Sequence, residues 1–503
     1  MNNMSQKGME PLTSLKKDLY QLIIGRLDGE RIRHDSYRAE MLNLVGKGIG
    51  GFIVFGGKKG DMRSFINEAQ AIPETPLFIA ADIERGVGQQ IEGCTPFPCQ
   101  MAVAAAIDRS HPRDERILEE SVRAVADEAK DVGINMPLIP VLDVNLDPDN
   151  PIICTRAFSD NPHEVAWFGR VYIRIVENSG LISCGKHFPG HGDTSTDSHL
   201  LLPVIGKSRH DLMEVDILPF REAVQAGVSS IMTGHLLIPT VDDMPASLSK
   251  EVMTNLLRKE LGFEGLILTD ALNMRALKNI ENVPVQCMKA GADILLHPAD
   301  PDITVQELIN GLASGEITEK RIGEALRRIE TAKKKLQKSA VENIDYQKHI
   351  MLSSHITDVS ISLVKNTSGL LPLAERDKVC MIFAGDHELF RTSPLNGYFS
   401  NISATTDGIE LQDNKCVIAV FTNVAAWKGS SGIADKEKKR IQELIRKAHR
   451  SIVISFGSPY VLRHFQEADI LIAAYEATEQ AQKAVIKCME GRLDFSGRLP
   501  VGL

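Results

Sequence analysis

The chain has 503 residues, more than a single hydrophobic core usually organises, so two domains are expected. Apolar residues make up 43% of the chain and charged residues 24%, with a formal net charge of −9. Because no block of lysine and arginine stands out against this acidic background, a nucleic-acid-binding or anionic-membrane-binding surface is not expected, and a small or neutral ligand is favoured.

The amino-terminal residues 1–17 are polar and lack the apolar core of a signal peptide. No apolar run approaches the roughly 20 residues that are needed to span a bilayer. The eight cysteines are scattered and form no CxxC pair, which argues against a disulfide framework or a zinc site. These features predict a soluble, cytoplasmic protein without a metal or other cofactor.

From about residue 20 to 300, a short β-branched run, a polar loop and an amphipathic stretch follow one another repeatedly. This alternation predicts a parallel α/β sheet or barrel. Seven runs are clear: 51–55, 76–81, 134–142, 181–185, 228–233, 265–269 and 292–296. Residues 20–25 form an eighth, weaker run.

Polar side chains follow nearly all of these runs. In a (β/α)₈ barrel the carboxyl ends of the strands converge on one face, where the chemistry takes place. Strand ends are also polar simply because they face water, but an acid, a histidine or a lysine follows six of the seven clear runs, which favours a site. The side chains concerned are Asp82, Asp143, Asn145, Lys186, His187, His235, Asp270 and His297.

The second half of the chain predicts another domain. Residues 319–337 read as the final barrel helix, which places a boundary near residue 340. Beyond it, helical segments separate further apolar runs, which predicts a smaller α/β domain with a parallel sheet over residues 341–503. These runs cover residues 379–384, 416–421, 451–456 and 470–474.

The segment 184–199 is rich in glycine, histidine and small hydroxylic residues, so it is expected to form a long loop over the barrel mouth. In it, Asp197 and His199 are close enough for the carboxylate to accept a hydrogen bond from the imidazole. Such a partner fixes the tautomer and raises the pKa of a histidine that donates and retrieves a proton. The alternative is a solvated loop with an incidental pair.

Other candidates lie where strands become loops. Lys186 and His187 can donate hydrogen bonds to sugar hydroxyls, although a lysine at this place could instead form a Schiff base. Asp270 suits a nucleophile or a metal ligand, and the absence of carboxylates at metal-ligand spacing favours the nucleophile. Asp82 and Arg156 could bracket two adjacent hydroxyls or form a surface salt bridge.

Together these segments resemble the β-N-acetylglucosaminidase branch of family 3 glycoside hydrolases. The resemblance rests on Lys-His-Phe-Pro-Gly-His-Gly-Asp at 186–193, Asp-Ser-His at 197–199, Asp-Ala-Leu-Asn-Met at 270–274 and Arg-Ala-Phe-Ser at 156–159. It extends to the second domain, through residues 362–373 and 496–501. It implies a (β/α)₈ TIM-type barrel followed by a smaller α/β sandwich domain.

The resemblance also implies a retaining β-N-acetylhexosaminidase acting on cell-wall muropeptide fragments or chitooligosaccharides. Asp270 would attack the anomeric carbon, and His199, backed by Asp197, would be the acid and base of two displacements. Four further residues would hold the hydroxyls of the non-reducing sugar. These are Asp82, Arg156, Lys186 and His187.

One segment departs from the family, which commonly reads D-x-E-G-G-R-V-x-R after the third strand. Here the chain reads Asp-Ile-Glu-Arg-Gly-Val-Gly-Gln-Gln from Asp82 to Gln90, so Gln90 replaces an arginine that binds sugar in relatives. Arg85 could compensate for that loss. The sequence therefore does not determine the outer sugar contacts or the fine specificity that depends on them.

Several alternatives remain at this stage. A phosphorylase would use phosphate as acceptor, since a neutral histidine base repels an anion less than a carboxylate does. A broad β-glucosidase would take its acid from a glutamate, often in the second domain. A catalytically silent sugar-binding protein would keep ligand affinity without turnover. Finally, the substrate's acetamido group could replace Asp270 as the nucleophile.

Overall fold

The apolar runs of the first half of the chain form eight strands. The computed structural model describes residues 14–194, 202–336, 343–367, 369–373, 379–396, 401–402, 415–424 and 429–503. The strands are β1 (Ile23–Asp28), β2 (Gly51–Phe55), β3 (Phe78–Ala81), β4 (Met136–Pro137), β5 (Cys184–Phe188), β6 (Ser230–Thr233), β7 (Leu266–Thr269) and β8 (Leu295–Leu296). Each overlaps a run that was predicted from the sequence.

These strands close into a barrel. One parallel sheet has the order β4-β3-β2-β1-β8 and another the order β5-β6-β7. Parallel bridges from Val141 to Lys186 and from Leu268 to Ile294 connect the two sheets, and Leu142 N donates to the Lys186 carbonyl at 2.7 Å. The strands therefore follow one another around the barrel in chain order, which confirms the predicted (β/α)₈ barrel.

Helices follow most of the strands and begin with typical start signals. Asn161 precedes Pro162–Asn178, and its side-chain oxygen accepts a hydrogen bond from His163 N at 2.9 Å. Proline suits the first helical position because its φ is already helical and its missing N–H would have no partner there. The barrel-domain helices are Asp35–Lys47, Lys59–Gln70, Gln100–Ala106, Pro112–Val132, Pro162–Asn178, Leu218–Gln225, the π-helix Glu251–Glu260, Val283–Ala290, Pro301–Ser314 and Glu319–Lys335.

The barrel core is apolar and continuous with the packing of the helices. Every residue of β3, β6 and β7 is buried. Parallel strands that are covered on both faces read as unbroken apolar runs, which is why these strands were visible in the sequence. The polar residues of these three strands, Ser230, Thr233 and Thr269, lie at strand ends.

The second domain is built on a six-stranded sheet with the order β11-β10-β12-β13-β14-β9. Its strands are β9 (Ser362–Asn366), β10 (Val379–Gly385), β11 (Asn401–Ile402), β12 (Lys415–Phe421), β13 (Arg450–Phe456) and β14 (Ile470–Ala473). The helices are Tyr346–Ser360, His387–Phe390, Asp435–Lys447 and Glu479–Met489. This arrangement confirms the predicted α/β class of the domain.

The prediction of a purely parallel sheet is wrong for one strand. β9 pairs antiparallel with β14 at the edge of the sheet. Its residues Ser-Leu-Val-Lys-Asn are only partly buried, as is typical of an edge strand that meets solvent. Such a mixed composition does not stand out as an apolar run.

The helix Tyr346–Ser360 contacts both domains. His349 Nδ1 lies 2.8 Å from Glu128 Oε1 on a barrel helix, and Ser353 Oγ donates to the carbonyl of Pro96 at 2.7 Å. On its other side, Lys487 forms an ion pair with Asp358 at 2.9 Å. The boundary predicted near residue 340 falls within residues 337–342, outside the described residues, and the division at that point stays a prediction.

All eight cysteines lie in the described ranges, where each is a free thiol and seven are buried. Across those same ranges, no helix combines the length and the apolar character that crossing a bilayer requires.

A buried carboxylate stabilises the end of the barrel opposite the strand carboxyl ends. Asp293, directly upstream of β8, is fully buried and forms ion pairs with Arg258, with Arg321 at 2.9 Å and with Arg328 at 3.1 Å. It also accepts a hydrogen bond from Ile267 N at 3.0 Å, at the start of β7. The carboxylate thereby connects two neighbouring strands to the surrounding helices.

We expect Asp293→Ala to destabilise the protein by about 3–5 kcal/mol, because it leaves three partly buried guanidinium groups without their counter-charge. The midpoint of urea unfolding measures the change. Glu260→Ala is the matched control, since it removes only the exposed pair with Arg209 at 2.6 Å and should cost less than about 1 kcal/mol. Equal losses in the two variants would contradict the structural role of Asp293.

Candidate active site

The polar strand-end residues gather at one end of the barrel. Because all eight strands are parallel, their carboxyl ends share a face, which forms the barrel mouth. Asp82 follows β3, Asp143 lies downstream of β4, Lys186 and His187 belong to β5, His235 follows β6, Asp270 follows β7 and His297 follows β8. Residues that are far apart in the sequence thus become neighbours.

A buried lysine is the centre of this mouth. Lys186 is 1% exposed, and its Nζ lies 2.6 Å from both Asp82 Oδ1 and Glu84 Oε1. Arg156 holds the same glutamate through two hydrogen bonds, from Nε at 2.8 Å and from Nη2 at 2.7 Å. Two carboxylates and two cations therefore form one network, and Asp82, at 32% exposure, is its most accessible carboxylate.

Opposite charges in this network stabilise the charged forms of Glu84 and Lys186. Burial alone would raise the pKa of Glu84, but the Arg156 and Lys186 charges outweigh it and hold that pKa well below its usual range. Burial likewise opposes the charge on Lys186, yet Asp82 and Glu84 keep its pKa above the ordinary value. Glu84, Lys186 and Arg156 therefore carry their charges at neutral pH, and charged groups make strong hydrogen bonds to hydroxyls.

A second buried carboxylate positions two histidines. Asp143 Oδ2 lies 2.7 Å from Nδ1 of His187, and Oδ1 accepts a hydrogen bond from the backbone N of His191 at 2.7 Å. The bond at Nδ1 fixes the orientation of the His187 ring and leaves Nε2 as its second hydrogen-bonding atom. Burial lowers the pKa of His191 to about 4, so this ring is neutral at physiological pH, and its Nδ1 lies 2.8 Å from Thr194 Oγ1.

Asp270 begins the loop after β7 and is partly exposed. Its backbone N donates to the Thr233 carbonyl at 2.9 Å, and its Oδ1 accepts a hydrogen bond from Ala271 N at 2.7 Å. Burial lowers the pKa of both His191 and His297, and the negative charge of Asp270 opposes this effect in each, so both rings lie within electrostatic range of its carboxylate. A carboxylate with this placement can serve as a nucleophile.

Asp197 and His199 lie in residues 195–201, outside the described residues. The described chain reaches Thr194 on one side and continues from Leu202 on the other. The segment therefore starts from β5, the strand that also carries Lys186. The roles of the two residues stay predictions.

Residues 82–90, whose sequence departs from the family pattern, make defined contacts in the structure. Gln90 Oε1 accepts a hydrogen bond from Gly56 N at 3.2 Å. Arg85 instead reaches the second domain, where its Nη2 donates to Glu476 at 2.5 Å. Together with Arg156 and residues at the ends of β12 and β14, this pair lines a cavity of about 330 Å³ between the domains.

Sequence reasoning missed Glu84 and the partner of Asp143. Glu84 links Lys186 to Arg156, and the available signal was its position two residues after Asp82 in an Asp-x-Glu pattern. Asp143 had been noticed as a strand-end acid, but its partner His187 lies more than forty residues away in the chain. In the described part of the chain, no group of three or more His, Cys, Asp or Glu side chains is arranged to hold a metal ion.

Comparisons with known proteins identify the family of the chain. Residues 14–332 match the family described as glycosyl hydrolase family 3 N terminal domain. A β-hexosaminidase A of Pseudoalteromonas piscicida is 32% identical over 392 residues, which are 69% of this chain and 65% of that protein. The chain thus spans slightly less than two thirds of that relative.

Two further comparisons cover nearly all of the chain. A β-N-acetylglucosaminidase/β-glucosidase of Cellulomonas fimi is 25% identical over 519 aligned positions, covering 92% of this chain and 90% of that protein. The solved structure of a glycoside hydrolase family 3 β-N-acetylglucosaminidase from Paenibacillus sp. is 28% identical, with a TM-score of 0.81 over 97% of this chain and 99% of its own. With a family match over more than half of its length and both domains shared with a solved relative, the chain belongs to glycoside hydrolase family 3.

Proposed function

We propose that the protein is a retaining β-N-acetylhexosaminidase that removes terminal non-reducing N-acetylglucosamine. The observation that carries this proposal is that β5 and β7, separated only by β6, bring the segment after Lys186 and the carboxylate of Asp270 to the same barrel mouth. Strands two places apart are about 10 Å from each other, a span that side chains and loops on both sides can bridge around one sugar ring. Relatives named for this activity support the choice of sugar.

In the first displacement, an oxygen of Asp270 attacks the anomeric carbon while the glycosidic bond breaks. His199 donates its proton to the departing oxygen, and Asp197 stabilises the histidine that carries it. The product is a glycosyl ester of Asp270 with inverted configuration, together with a released alcohol. The proton comes from His199, on the segment that follows β5. The electron pair of the new bond comes from the carboxylate of Asp270, which follows β7.

In the second displacement, His199 removes a proton from water, whose oxygen attacks the same carbon and releases Asp270. A second inversion restores the original configuration, which makes the enzyme retaining. The neutral imidazole that results from the first step is the base needed in the second. Acid and base are thus one residue in two protonation states.

The buried network provides sugar recognition. Asp82 accepts from a hydroxyl while Lys186, Arg156 and His187 donate, so one face of the non-reducing ring meets fixed partners of both kinds. Glu84 holds the two cations in place. Because these side chains are already held by hydrogen bonds and ion pairs, they need little reorganisation when the sugar binds.

We place this activity in the cytoplasm, acting on muropeptide fragments of the cell wall or on chitooligosaccharides. Eight free thiols support a reducing compartment. We also propose that residues 1–340 form the catalytic domain and 341–503 the sandwich domain, which contacts the mouth through Glu476.

Asp270→Ala is expected to lower kcat on the order of 10⁴-fold, because it removes the covalent step. A 2-fluoro analogue of the sugar with a good leaving group should trap the ester, and mass mapping should find the label on the peptide that contains Asp270. Asp243→Ala changes an exposed aspartate and should leave turnover intact. An unlabelled Asp270 peptide would indicate that the acetamido group of the substrate is the nucleophile.

His199→Ala should slow the hydrolysis of a disaccharide by about 10²–10⁴-fold, the usual contribution of a general acid. The first displacement of a dinitrophenyl glycoside should change little, because that leaving group needs no proton. Initial bursts of dinitrophenol report this step separately from hydrolysis of the ester. Equal losses on good and poor leaving groups would refute the acid role.

Glu84→Gln should weaken transition-state binding by about 1.5–3 kcal/mol, or roughly 10- to 100-fold in kcat/KM. The neutral amide no longer fixes Arg156 and Lys186 by charge. Glu92→Gln is the control, since Glu92 lies nearby in an exposed pair with Lys58 and its loss should leave kcat/KM unchanged. Wild-type kcat/KM in Glu84→Gln would show that the network is structural only.

A further inference from the structure

His235 follows β6 and has no part in the sugar network or in the proposed proton transfer. The residue is fully buried, as is Ser247, whose hydroxyl oxygen lies 2.7 Å from Nδ1 of the His235 ring. Nε2 of the same ring lies 3.1 Å from the carbonyl oxygen of Ala271. Since Ala271 directly follows Asp270, the imidazole contacts the backbone next to the proposed nucleophile.

These two contacts determine the tautomer of the His235 ring. A backbone carbonyl can only accept a hydrogen bond, so Nε2 carries the proton and donates it to Ala271. In the neutral ring Nδ1 is then an acceptor, and the Ser247 hydroxyl donates to it. Ser247 thus orients His235, and His235 in turn holds the Ala271 carbonyl.

The end of β6 fixes the loop after β7 at two successive residues. The backbone N of Asp270 donates to the Thr233 carbonyl at 2.9 Å, and the side chain of His235 donates to the Ala271 carbonyl. The Ala271 carbonyl also accepts a hydrogen bond from Met274 N at 3.1 Å. That last bond lies within the loop itself, so it does not fix the position of the loop relative to β6.

Ala271 connects the His235 contact to the carboxylate of Asp270. The N–H of Ala271 donates to Asp270 Oδ1 at 2.7 Å, and the carbonyl of Ala271 is the group that His235 holds. Only the two backbone dihedrals of Ala271 separate these groups, so a carbonyl held in place restricts the direction of the N–H. The orientation of the Asp270 carboxylate therefore depends on the hydrogen bond from His235.

The same strand end also packs against the sugar-binding side of the mouth. Gly234 N donates to the carbonyl of Phe188 at 2.9 Å. A Cβ atom at Gly234 would lie 3.3 Å from His187 Cβ and 3.8 Å from His191 Cδ2, so the backbone lies close to both histidines. Residues 233–235 thus lie between the proposed nucleophile and a proposed sugar ligand.

We propose that His235 is a positioning residue for the nucleophile, holding the loop after β7 so that Asp270 faces the anomeric carbon. The inference rests on the proposed function, because it takes Asp270 to be the nucleophile. Since His235 is fully buried, it acts through Asp270 and not by contact with the sugar. A displacement of a reacting group by about 1 Å is enough to lower the rate by up to about 100-fold.

His235→Asn and His235→Gln form a matched pair of variants. Both replace the ring with a neutral amide. The shorter asparagine side chain replaces only Nδ1 and keeps a partner for Ser247, whereas the longer glutamine side chain places an N–H donor near the position of Nε2. Only the glutamine variant therefore retains a hydrogen bond to Ala271.

We expect His235→Asn to slow the single-turnover release of dinitrophenol from the dinitrophenyl glycoside by about 10- to 100-fold. The loss on a disaccharide should be similar, because the nucleophile acts with either leaving group. The inhibition constant of N-acetylglucosamine should stay within about twofold of the wild-type value, since the sugar-binding network is unchanged. His235→Gln should release dinitrophenol within about fivefold of the wild-type rate, because it keeps the donor.

Thr254→Val is the control, since it removes another hydrogen bond from a side chain to a backbone carbonyl, from Thr254 Oγ1 to Ala290 at 2.6 Å. It should change neither the release rate nor the inhibition constant. The midpoint of urea unfolding shows whether each variant is folded. If His235→Asn does not fold, Ser247→Ala replaces it and should slow dinitrophenol release by about 3- to 10-fold; an unchanged rate there would overturn the role of His235.

The possible outcomes separate this inference from the proposed function. If the 2-fluoro sugar does not label Asp270, the inference and the covalent mechanism fall together. If Asp270 is labelled but His235→Asn releases dinitrophenol at the wild-type rate, the positioning role is overturned and the proposed function stands. Equal losses in His235→Asn and His235→Gln, or an inhibition constant that rises in parallel with the loss of rate, would also overturn the positioning role.

Discussion

The structure of the barrel mouth depends on one constraint, the burial of the Lys186 ammonium inside a strand. A charge that is 1% exposed requires carboxylates in direct contact. Asp82 and Glu84 meet this need from the loop after β3, and Glu84 in turn holds Arg156 over the mouth. The contacts of this one buried cation thus connect Asp82, Glu84 and Arg156, which come from two loops that are far apart in the sequence.

The proposed site combines side chains held on or beside the barrel strands with a histidine, His199, on a connecting segment. The charged network and the Asp143–His187 pair lie on or beside strands, where packing fixes their positions. In the proposed mechanism the proton is carried by His199, on the segment between Thr194 and Leu202. In that mechanism, recognition of the sugar and delivery of the proton depend on different segments of the chain.

Much of the fold could be predicted from the sequence, because parallel strands are buried on both faces and appear as apolar runs. The partly exposed edge strand β9 could not, since its residues alternate without a clear apolar pattern. In the site, the strand-end position of Asp270 was visible locally. The role of Glu84 was not, because its partners Arg156 and Lys186 lie 72 and 102 residues further along the chain and meet it only after the barrel closes.

The helix Tyr346–Ser360 has a mechanical consequence. Its side chains contact a barrel helix through His349 and the second domain through the Asp358–Lys487 pair. The helix is therefore packed against both parts of the molecule. A hinge needs a few unconstrained backbone positions to absorb a rotation, and this helix offers none along its length. Any rotation of the second domain against the barrel would therefore have to break the contacts that His349 and Asp358 make with their partners.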